Sequence, residues 1–463
     1  MQLILIQLYL GTKNIINDTH SSPNKRVVFL QRIDKESSQA IFNLVDKNED
    51  KIVNLLRDLI RIPTYVPPGI NYEKIIDFIA PKIEGLGFTC TKHFMPEDIF
   101  LEKQKSTNQL LDGPRVNLQA EKRTGKKPGL VLYSHIDVVP VQEESWTVPP
   151  WEGVVKDGKM YGRGTSDNKS STAALLSALE IISELGLEET FDLNVLVTTD
   201  EEVGPYSGLC WLADMGVVWG DYFFCLDGSS DTLGIGANGM LEWMVEVHGK
   251  SVHSGISFLG QNAIEQTNLI ISGFLELKNE IEKRRSAMPS SPEIQSQTGG
   301  GMRTNISPVL NVTMINGGVK VNIVPDKCVI KGDRRYIPEE NIDEVIKELE
   351  DKLAEIKNAH PEISYDLKTR KIYGGYSTEP THQWVSFVKN VISYVKGEEP
   401  PIAGAQGSID VGCVMEKRKI PQCAFGAGTT LESRIHGHDE NIRISDLLDL
   451  TKVLAMVITN NLD

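Results

Sequence analysis

The sequence predicts an α/β protein in which a mostly parallel sheet is flanked by helices and a second, α+β domain is inserted. Two observations lead to this prediction. In the first half of the chain, short apolar runs that end in polar residues alternate with helical patterns. In the middle, apolar and polar residues alternate along the expected strands. Strands that alternate with helices along the chain form parallel sheets that are covered on both faces. Strands whose own residues alternate between apolar and polar have one face in the core and one face in solvent.

The main domain is expected to combine three buried strands with five helices. Continuous apolar runs predict strands within 129–137, 191–202 and 221–227. Helical spacing of apolar residues predicts helices at about 49–62, 72–87, 168–185, 382–396 and 444–460. Since the last two helices follow the alternating middle part, the main domain is expected to resume there.

The middle of the chain predicts an inserted domain. Its elements follow in the order strand, helix, strand, strand, helix, strand, at about 240–249, 262–284, 309–317, 327–337, 342–356 and 363–373. This order is typical of the ferredoxin-like fold. We place the inserted domain at 239–375 and the main domain at 46–238 and 376–463, and we interpret 1–45 as an extension of unknown role. The strands 240–249 and 309–317 are the expected exposed edges.

Composition excludes several classes of partner. A chain of 463 residues is long enough for two domains. Its formal net charge of −15 argues against a nucleic-acid partner, because phosphate contacts need clustered Lys and Arg. The first ten residues are apolar but too few to span a bilayer, and no other segment predicts a membrane span. We therefore expect neither a nucleic-acid nor a membrane partner.

The six cysteines are scattered and none forms a C-x-x-C pair. This spacing argues against a zinc ribbon and against a thioredoxin-like motif. We expect reduced thiols in a cytoplasmic protein.

Acids and histidines lie where the predicted strands end, or in loops that can reach those ends. They are His135, Asp137, Asp167, Asp200, Glu201, Glu202, Asp227 and His436. Ligand sites of open α/β sheets lie at the carboxyl ends of strands, so these residues can converge. Histidine and carboxylates without cysteine suit zinc, cobalt or manganese. Five ligands that share one carboxylate would build a site for two ions, and an unliganded carboxylate must take the proton of the attacking water. The adjacent pair Glu201–Glu202 can supply both roles.

Six stretches between residues 134 and 440 carry a family resemblance: SHIDVVP, YGRGTSDNK, TTDEEVG, GKSVHSG, GGVKVNIVPD and HGHDE. Over about residues 46–463 the chain resembles the M20 family of metallopeptidases and deacylases. The resemblance implies a zinc metallohydrolase with two divalent ions per chain, cobalt and manganese being the alternatives to zinc. It also equates the inserted domain with the family's lid or dimerisation domain, so we expect a homodimer.

The resemblance further implies a role for each site residue. His135 and Asp227 would bind one metal ion, Glu202 and His436 the other, and Asp167 would bridge the two. Glu201 would be the general base, and Asp137 would be the acid that orients His135. His253 would donate to the oxyanion in the partner's site. The residues that would contact the substrate are Asn322, Arg335, Gly407 and Ser408.

Several assignments have rivals. Arg334 competes with its neighbour Arg335, and His438 competes with His436, which the family spacing selects. Taken one at a time, the motifs could also be structural features without a catalytic role, namely a strand end, a solvated turn or a helix cap. Only their combination in this order points to a metal site.

Departures from the family pattern bear on the substrate. The stretch GAQGSIDVG carries one extra residue and no Arg follows Asp410, while Ser170 replaces a usual Gly. Asp227 is typical of dipeptidase and aminopeptidase branches, whereas the lid sequence resembles deacetylases and desuccinylases. The leading hypothesis is hydrolysis of the amide bond of a small N-acyl amino acid or short peptide. The alternatives are a dipeptidase that needs a free amine, and a non-catalytic metal-binding or interaction protein, against which the intact Glu201 argues.

Overall fold

The computed structural model describes residues 35–105, 110–204, 207–297, 304–429 and 431–462. The helices in these ranges are α1 Lys35–Lys47, α2 Glu49–Ile60, α3 Tyr72–Glu84, α4 Glu97–Gln104, α5 Lys169–Glu184, α6 Leu209–Asp214, α7 Ala263–Ile281, α8 Pro292–Gln297, α9 Ile342–Ala359, α10 Gln383–Lys396, α11 Val411–Lys417 and α12 Ile444–Thr459. The strands are β1 Thr89–Phe94, β2 Val116–Lys122, β3 Gly129–His135, β4 Val154–Lys156, β5 Lys159–Tyr161, β6 Asp192–Thr198, β7 Tyr222–Cys225, β8 Leu233–Ala237, β9 Gly239–His248, β10 Val309–Gly317, β11 Lys327–Tyr336, β12 Ser364–Tyr373, β13 Tyr376–Ser377, β14 Ile402–Ala405, β15 Gln422–Ala424 and β16 Asn441–Arg443.

The largest sheet is parallel at its centre and antiparallel on both sides. Its strand order is β1-β2-β6-β3-β7-β15-β8-β13, with β14 paired to β8. The strands β6, β3, β7 and β15 run parallel to one another. Every residue of β3 and β6 is buried, as expected for strands covered on both faces. The predicted fold class is confirmed, although the antiparallel flanks were not predicted.

A second sheet of four antiparallel strands has the order β10-β11-β9-β12. With α7 and α9 this is the predicted ferredoxin-like arrangement. Residues of β9 alternate between buried and half-buried, so one face packs on a core that both helices also contribute to. The expectation that 240–249 forms an edge is wrong, because β9 pairs on both sides. Strand β10 is at an edge, as expected.

The last part of the segment that we interpreted as an extension is α1. This helix packs on α12 through the buried side chains of Ile41, Leu44 and Val45. Residues 35–45 therefore belong to the main domain rather than to a separate extension. Residues 1–34 lie outside the described residues.

Cys210 and Cys413 form a disulfide, which corrects the expectation that all six thiols are reduced. The two cysteines lie in the neighbouring helices α6 and α11, whose Cα atoms are 5.1 Å apart at this point. They are separated by 203 residues in the sequence, so no local spacing could reveal the pair. The expected cytoplasmic location stays a prediction.

A small third sheet, of order β16-β5-β4, joins two distant parts of the chain. It places the loop before β16 beside the loop after β5. Within the described residues, no helix has the length and apolar character needed to cross a membrane.

Candidate active site

The carboxyl ends of the central strands bring the predicted site residues together. His135 ends β3, Glu201 and Glu202 lie in the turn after β6, and Asp227 follows β7. Two groups of residues have ligand atoms within 4.8 Å of one another, and both contain Asp167. These groups are His135, Asp167 and Asp227, and Asp167, Glu202 and His436.

Asp167 lies between the two histidines and offers one carboxylate oxygen to each. Its Oδ1 is 2.9 Å from Nε2 of His135, and its Oδ2 is 3.1 Å from Nε2 of His436. Asp227 Oδ2 lies 3.9 Å from His135 Nε2, and Glu202 Oε2 lies 3.0 Å from His436 Nε2. The five predicted metal ligands thus form two triads that share one carboxylate.

Asp137 contacts both triads without belonging to either. Nδ1 of His135 donates to the carbonyl oxygen of Asp137 at 3.2 Å and lies 3.5 Å from its carboxylate. The other carboxylate oxygen of Asp137 accepts from the backbone N–H of Glu202 at 3.1 Å. Asp137 is fully buried, so it holds the imidazole of His135 with Nε2 directed at the other two carboxylates.

A buried ion pair, Arg163–Glu440, connects the loops that carry Asp167 and His436. Glu440 accepts hydrogen bonds from Arg163 and from the backbone N–H groups of Gly164, Ser166 and Asp167, at 2.7 to 3.0 Å. Arg163 also donates to the carbonyl oxygen of His436 at 3.2 Å. His436 has a left-handed backbone (φ 63°), a conformation that such contacts must maintain. Sequence reasoning missed this pair although both residues lie in the quoted motifs.

A second buried network anchors the turn that carries Glu201 and Glu202. The preceding residue, Asp200, is left-handed (φ 63°) and fully buried. Its carboxylate is 2.9 Å from Nε of Arg115 and accepts from the hydroxyl of Tyr72 at 2.7 Å. Burial raises the pKa of Asp200 to about 6, while Arg115 opposes the shift. Arg115 and Tyr72 lie in none of the quoted motifs, so no sequence pattern pointed to them.

Glu201 is the acid of this turn that belongs to neither triad. Burial raises its pKa well above the ordinary value, and the negative charges of Asp410 and Asp227 add to the shift. Asp410 accepts a hydrogen bond of 2.6 Å from Tyr133, and burial raises its pKa to about 7. Glu201 therefore lies next to the triads without taking part in either of them.

The predicted substrate residues lie in two places. Gly407 and Ser408 line a cavity of about 380 Å³ that also contacts Asp227. Arg335 and Asn322 belong to the four-stranded domain, where Arg335 pairs with Asp333 at 3.0 Å and the carbonyl oxygen of Asn322 accepts from Ser254. The rival Arg334 is fully buried and paired with Glu340 at 2.7 Å, so it has a structural role.

His253 is also in the four-stranded domain, on an exposed loop. Its Nδ1 accepts a hydrogen bond from the backbone N–H of Gly255 at 3.1 Å, and its backbone pairs with Ile323. Among the described residues, no hydrogen bond or ion pair joins His253 to the two triads of its own chain.

A sequence profile of the peptidase family M20/M25/M40 matches residues 131–460, which hold both triads. The chain belongs to this family. The resemblance inferred from the six motifs is confirmed, and the protein is an M20 metallohydrolase.

Relatives of this M20 enzyme are named as deacylases and as peptidases. It is 26% identical over 435 residues to N-formyl-4-amino-5-aminomethyl-2-methylpyrimidine deformylase of Halalkalibacterium halodurans, covering 89% of this chain and 95% of the relative. It is 26% identical over 421 residues to succinyl-diaminopimelate desuccinylase of Rhodospirillum centenum, covering 88% and 96%. The fold is similar to that of an M20 metallo-carboxypeptidase from Sulfolobus solfataricus, with a TM-score of 0.71, 19% identity and coverage of 88% and 98%.

The donor set of the M20 enzyme fits divalent cations. Nε2 of His135 is buried and lies 2.9 Å from a carboxylate oxygen of Asp167. Burial raises the pKa of Glu202 to about 7 and that of Asp227 to about 6, and in each case the charge of Asp167 adds to the shift. Anions that raise each other's pKa in this way are stabilised by a bound cation. Histidine nitrogen with carboxylate oxygen is a donor set that zinc accepts.

Proposed function

We propose that this M20 enzyme hydrolyses the amide bond of a small N-acyl amino acid or a short peptide with two divalent ions per chain. The observation that carries the proposal is the pair of triads that share Asp167, with the half-buried Glu201 beside them. Because both triads contain Asp167, this one carboxylate would be shared by the two ions of a two-metal site.

Each ligand has a proposed position. His135 and Asp227 hold one ion, Glu202 and His436 hold the other, and Asp167 bridges both. Zinc suits these ligands best, with cobalt or manganese as alternatives. When bound, the ions supply a water of lowered pKa and polarise the scissile carbonyl.

Glu201 is the proposed general base. It lies outside both triads, so its carboxylate is free to take a proton from the attacking water and to pass it to the leaving amine. Asp137 keeps the imidazole of His135 in place through its carbonyl oxygen and carboxylate. His253 of a second copy is the proposed donor to the oxyanion, which makes a homodimer part of the proposal.

Two observations bear on the substrate class. The relatives named as deformylase and desuccinylase act as deacylases, which favours an N-acyl compound. Asp227, in contrast, is the residue expected in dipeptidases, so a dipeptidase that needs a free amine is the second candidate. The cavity beside Asp227 includes Gly407 and Ser408, which are two of the proposed substrate contacts. The other two proposed contacts, Arg335 and Asn322, belong to the four-stranded domain.

The test is a hydrolysis screen with purified protein. Formyl-, acetyl- and succinyl-amino acids are compared with dipeptides after metal-free protein is loaded with zinc, cobalt or manganese. We expect turnover that chelation abolishes and metal restores. The control is Glu201→Gln, which should keep its metal yet lose about 10²–10⁴-fold in kcat. Full activity in Glu201→Gln, or no turnover of any substrate with any metal, would refute the proposal.

A further inference from the structure

The cavity beside Asp227 has a flat floor made of small residues. Strands β7, β15 and β8 form this floor through Cys225, Ala424 and Gly234. A Cβ atom at Gly234 would come within 2.9 Å of the Cβ of Ala424, so the strands approach too closely there for a side chain. At these three positions the floor carries only small side chains or none, which suits a planar group.

Acids are the only charged side chains that line this cavity within the described residues. They are Asp227, Asp231 and Glu293. Asp227 is a proposed metal ligand, Asp231 accepts from Ser229, and Glu293 accepts from the backbone N–H of Leu431 at 2.8 Å. A substrate carboxylate placed against this wall would meet these acids and no lysine or arginine. Burial of such a charge without a partner is unfavourable.

Gln422 gives the cavity an unpaired amide. The residue is 1% exposed, and neither its Nε2 nor its Oε1 has a hydrogen-bond partner. It shares a face of β15 with Ala424, two residues on, whereas Cys423 between them packs in the core. A buried polar group without a partner is unfavourable, because it has lost its contact with water and gained no hydrogen bond in return. A ligand with a hydrogen-bond donor beside an acceptor would satisfy both ends of this amide.

Two hydroxyl groups in the cavity wall are buried without a hydrogen-bond partner, as the amide of Gln422 is. Ser290 and Thr429 line the cavity, are buried, and have side-chain oxygens without a partner. Besides its three acids, the wall of the cavity therefore offers neutral hydrogen-bonding groups, whereas an anion-binding pocket would offer cations.

We propose that this cavity binds an uncharged, planar, nitrogen-bearing group of the substrate, such as a carboxamide, and that Gln422 selects it over the isosteric carboxylate. The inference rests on the proposed amide hydrolysis and narrows the substrate to compounds that carry such a group near the scissile bond.

The experiment uses matched amide and acid substrates with the metal-loaded enzyme. One pair, N-acetylglutamine and N-acetylglutamate, differs on the amine side of the scissile bond. The other pair, succinamoyl- and succinyl-alanine, differs on the acyl side. We expect at least about a tenfold higher kcat/KM for the amide member of one pair, carried mainly by KM, since 1.4 kcal/mol corresponds to tenfold.

The variant Gln422→Leu removes both hydrogen-bonding groups at similar size, and it should bring the amide-to-acid ratio close to one by raising KM for the amide. Gln422→Asn, which withdraws the amide by one methylene, should act in the same direction and serves if the leucine variant does not fold. The matched control is Gln266→Leu, because Gln266 is also buried with an unpaired Oε1 but lies in α7, away from this cavity. It should leave the ratio unchanged.

Equal or better hydrolysis of the acid members, with N-acetylalanine still cleaved, would overturn the inference and leave the proposed function intact. An unchanged ratio in Gln422→Leu would overturn it as well. If wild-type protein cleaves no substrate with any metal, the proposed function fails and this inference fails with it.

Discussion

Asp167 is the residue on which both triads depend. Its two carboxylate oxygens are directed at different histidines, at 2.9 and 3.1 Å. Asp227, in contrast, takes part in one triad alone. Removal of the shared ligand, Asp167, should therefore lower the metal content more than removal of Asp227 does.

We predict that Asp167→Ala lowers the metal content from about two ions per chain to none, whereas Asp227→Ala retains about one. Metal content is measured by elemental analysis after dialysis, with circular dichroism to show that each variant is folded. Asp227→Ala is the matched control because it removes a carboxylate of the same kind from the same site. One ion retained by Asp167→Ala would contradict the bridging role.

Arg163 and Glu440 are residues whose importance emerges only in the folded chain. They are 277 positions apart, yet Glu440 holds the backbone of the Asp167 loop and Arg163 holds that of His436. The sequence showed that both lie in motifs but not that they meet. Sequence reasoning found the acids and histidines because strand ends converge by topology, whereas contacts between loops depend on packing that no periodicity records.

We predict that Glu440→Gln weakens metal binding about 10–100-fold, because the neutral amide cannot accept from all four donors that position Asp167 and Arg163. It should also destabilise the metal-free protein by about 3–5 kcal/mol, the cost of breaking a buried ion pair. The measurements are a metal-chelator competition and urea unfolding. Glu432→Gln, which breaks exposed pairs with Lys159 and Arg443, should change stability by less than about 1 kcal/mol. Equal effects of the two variants would count against the positioning role.

At the scale of elements, prediction from sequence succeeded where burial is continuous. The runs that became β3 and β6 are buried at every residue, so their apolar composition was a sufficient signal. Strand β1 is exposed along most of its length, and β13 has two residues, so neither produced a pattern. Their antiparallel pairing with β2 and β8 is set by long-range contacts.

The helices α6 and α11 are the elements that the disulfide joins. Helix α6 follows the turn that carries Glu201 and Glu202, and α11 begins after Asp410. A covalent link across 203 residues restricts the unfolded chain over nearly half its length. In the chain-entropy description, the stabilisation from such a link grows with the length of the loop it closes.

We predict that reduction of this disulfide, or Cys413→Ser, lowers the free energy of unfolding by about 2–4 kcal/mol. Urea unfolding with and without dithiothreitol measures the change in wild-type protein, and the reductant should have no effect on Cys413→Ser. Cys90→Ser is the control, since Cys90 is a free, half-buried thiol. Thiol titration of the unfolded, unreduced protein should find four free cysteines, and six would show that the disulfide does not form.

At the scale of the whole molecule, the four-stranded domain exposes an apolar surface that a single chain leaves uncovered. We call it the lid-edge surface: Met314, Ile315, Val319, Val321 and Ile323. Strand β10, which carries the first two, is at an edge of its sheet and pairs with β11 alone among the described strands. Proteins usually cover or pair such edges, and contiguous exposed apolar patches mark interfaces.

His253 borders this surface, because its backbone pairs with Ile323. Two copies joined through β10 would form a symmetric contact in which each chain presents the same residues to the other. His253 would then be placed to enter the cleft of the second copy, which agrees with its lack of a described contact to the triads of its own chain.

We predict a homodimer in solution, and a loss of about 10²-fold or more in kcat for His253→Ala with the metal ions retained, as for removal of one oxyanion donor. Sedimentation gives the oligomeric state, and Val321→Glu should shift it towards monomer by placing a charge in the lid-edge surface.

The decisive measurement mixes His253→Ala with Glu201→Gln, two variants that are each nearly inactive. After subunit exchange, one of the two sites in a hybrid dimer has wild-type Glu201 from one chain and wild-type His253 from the other. At equal amounts half of the dimers are hybrids, so about a quarter of all sites, and about a quarter of the wild-type activity, should return. Mass-labelled chains show whether the subunits have exchanged. If they have exchanged and activity does not return, His253 does not act across the dimer.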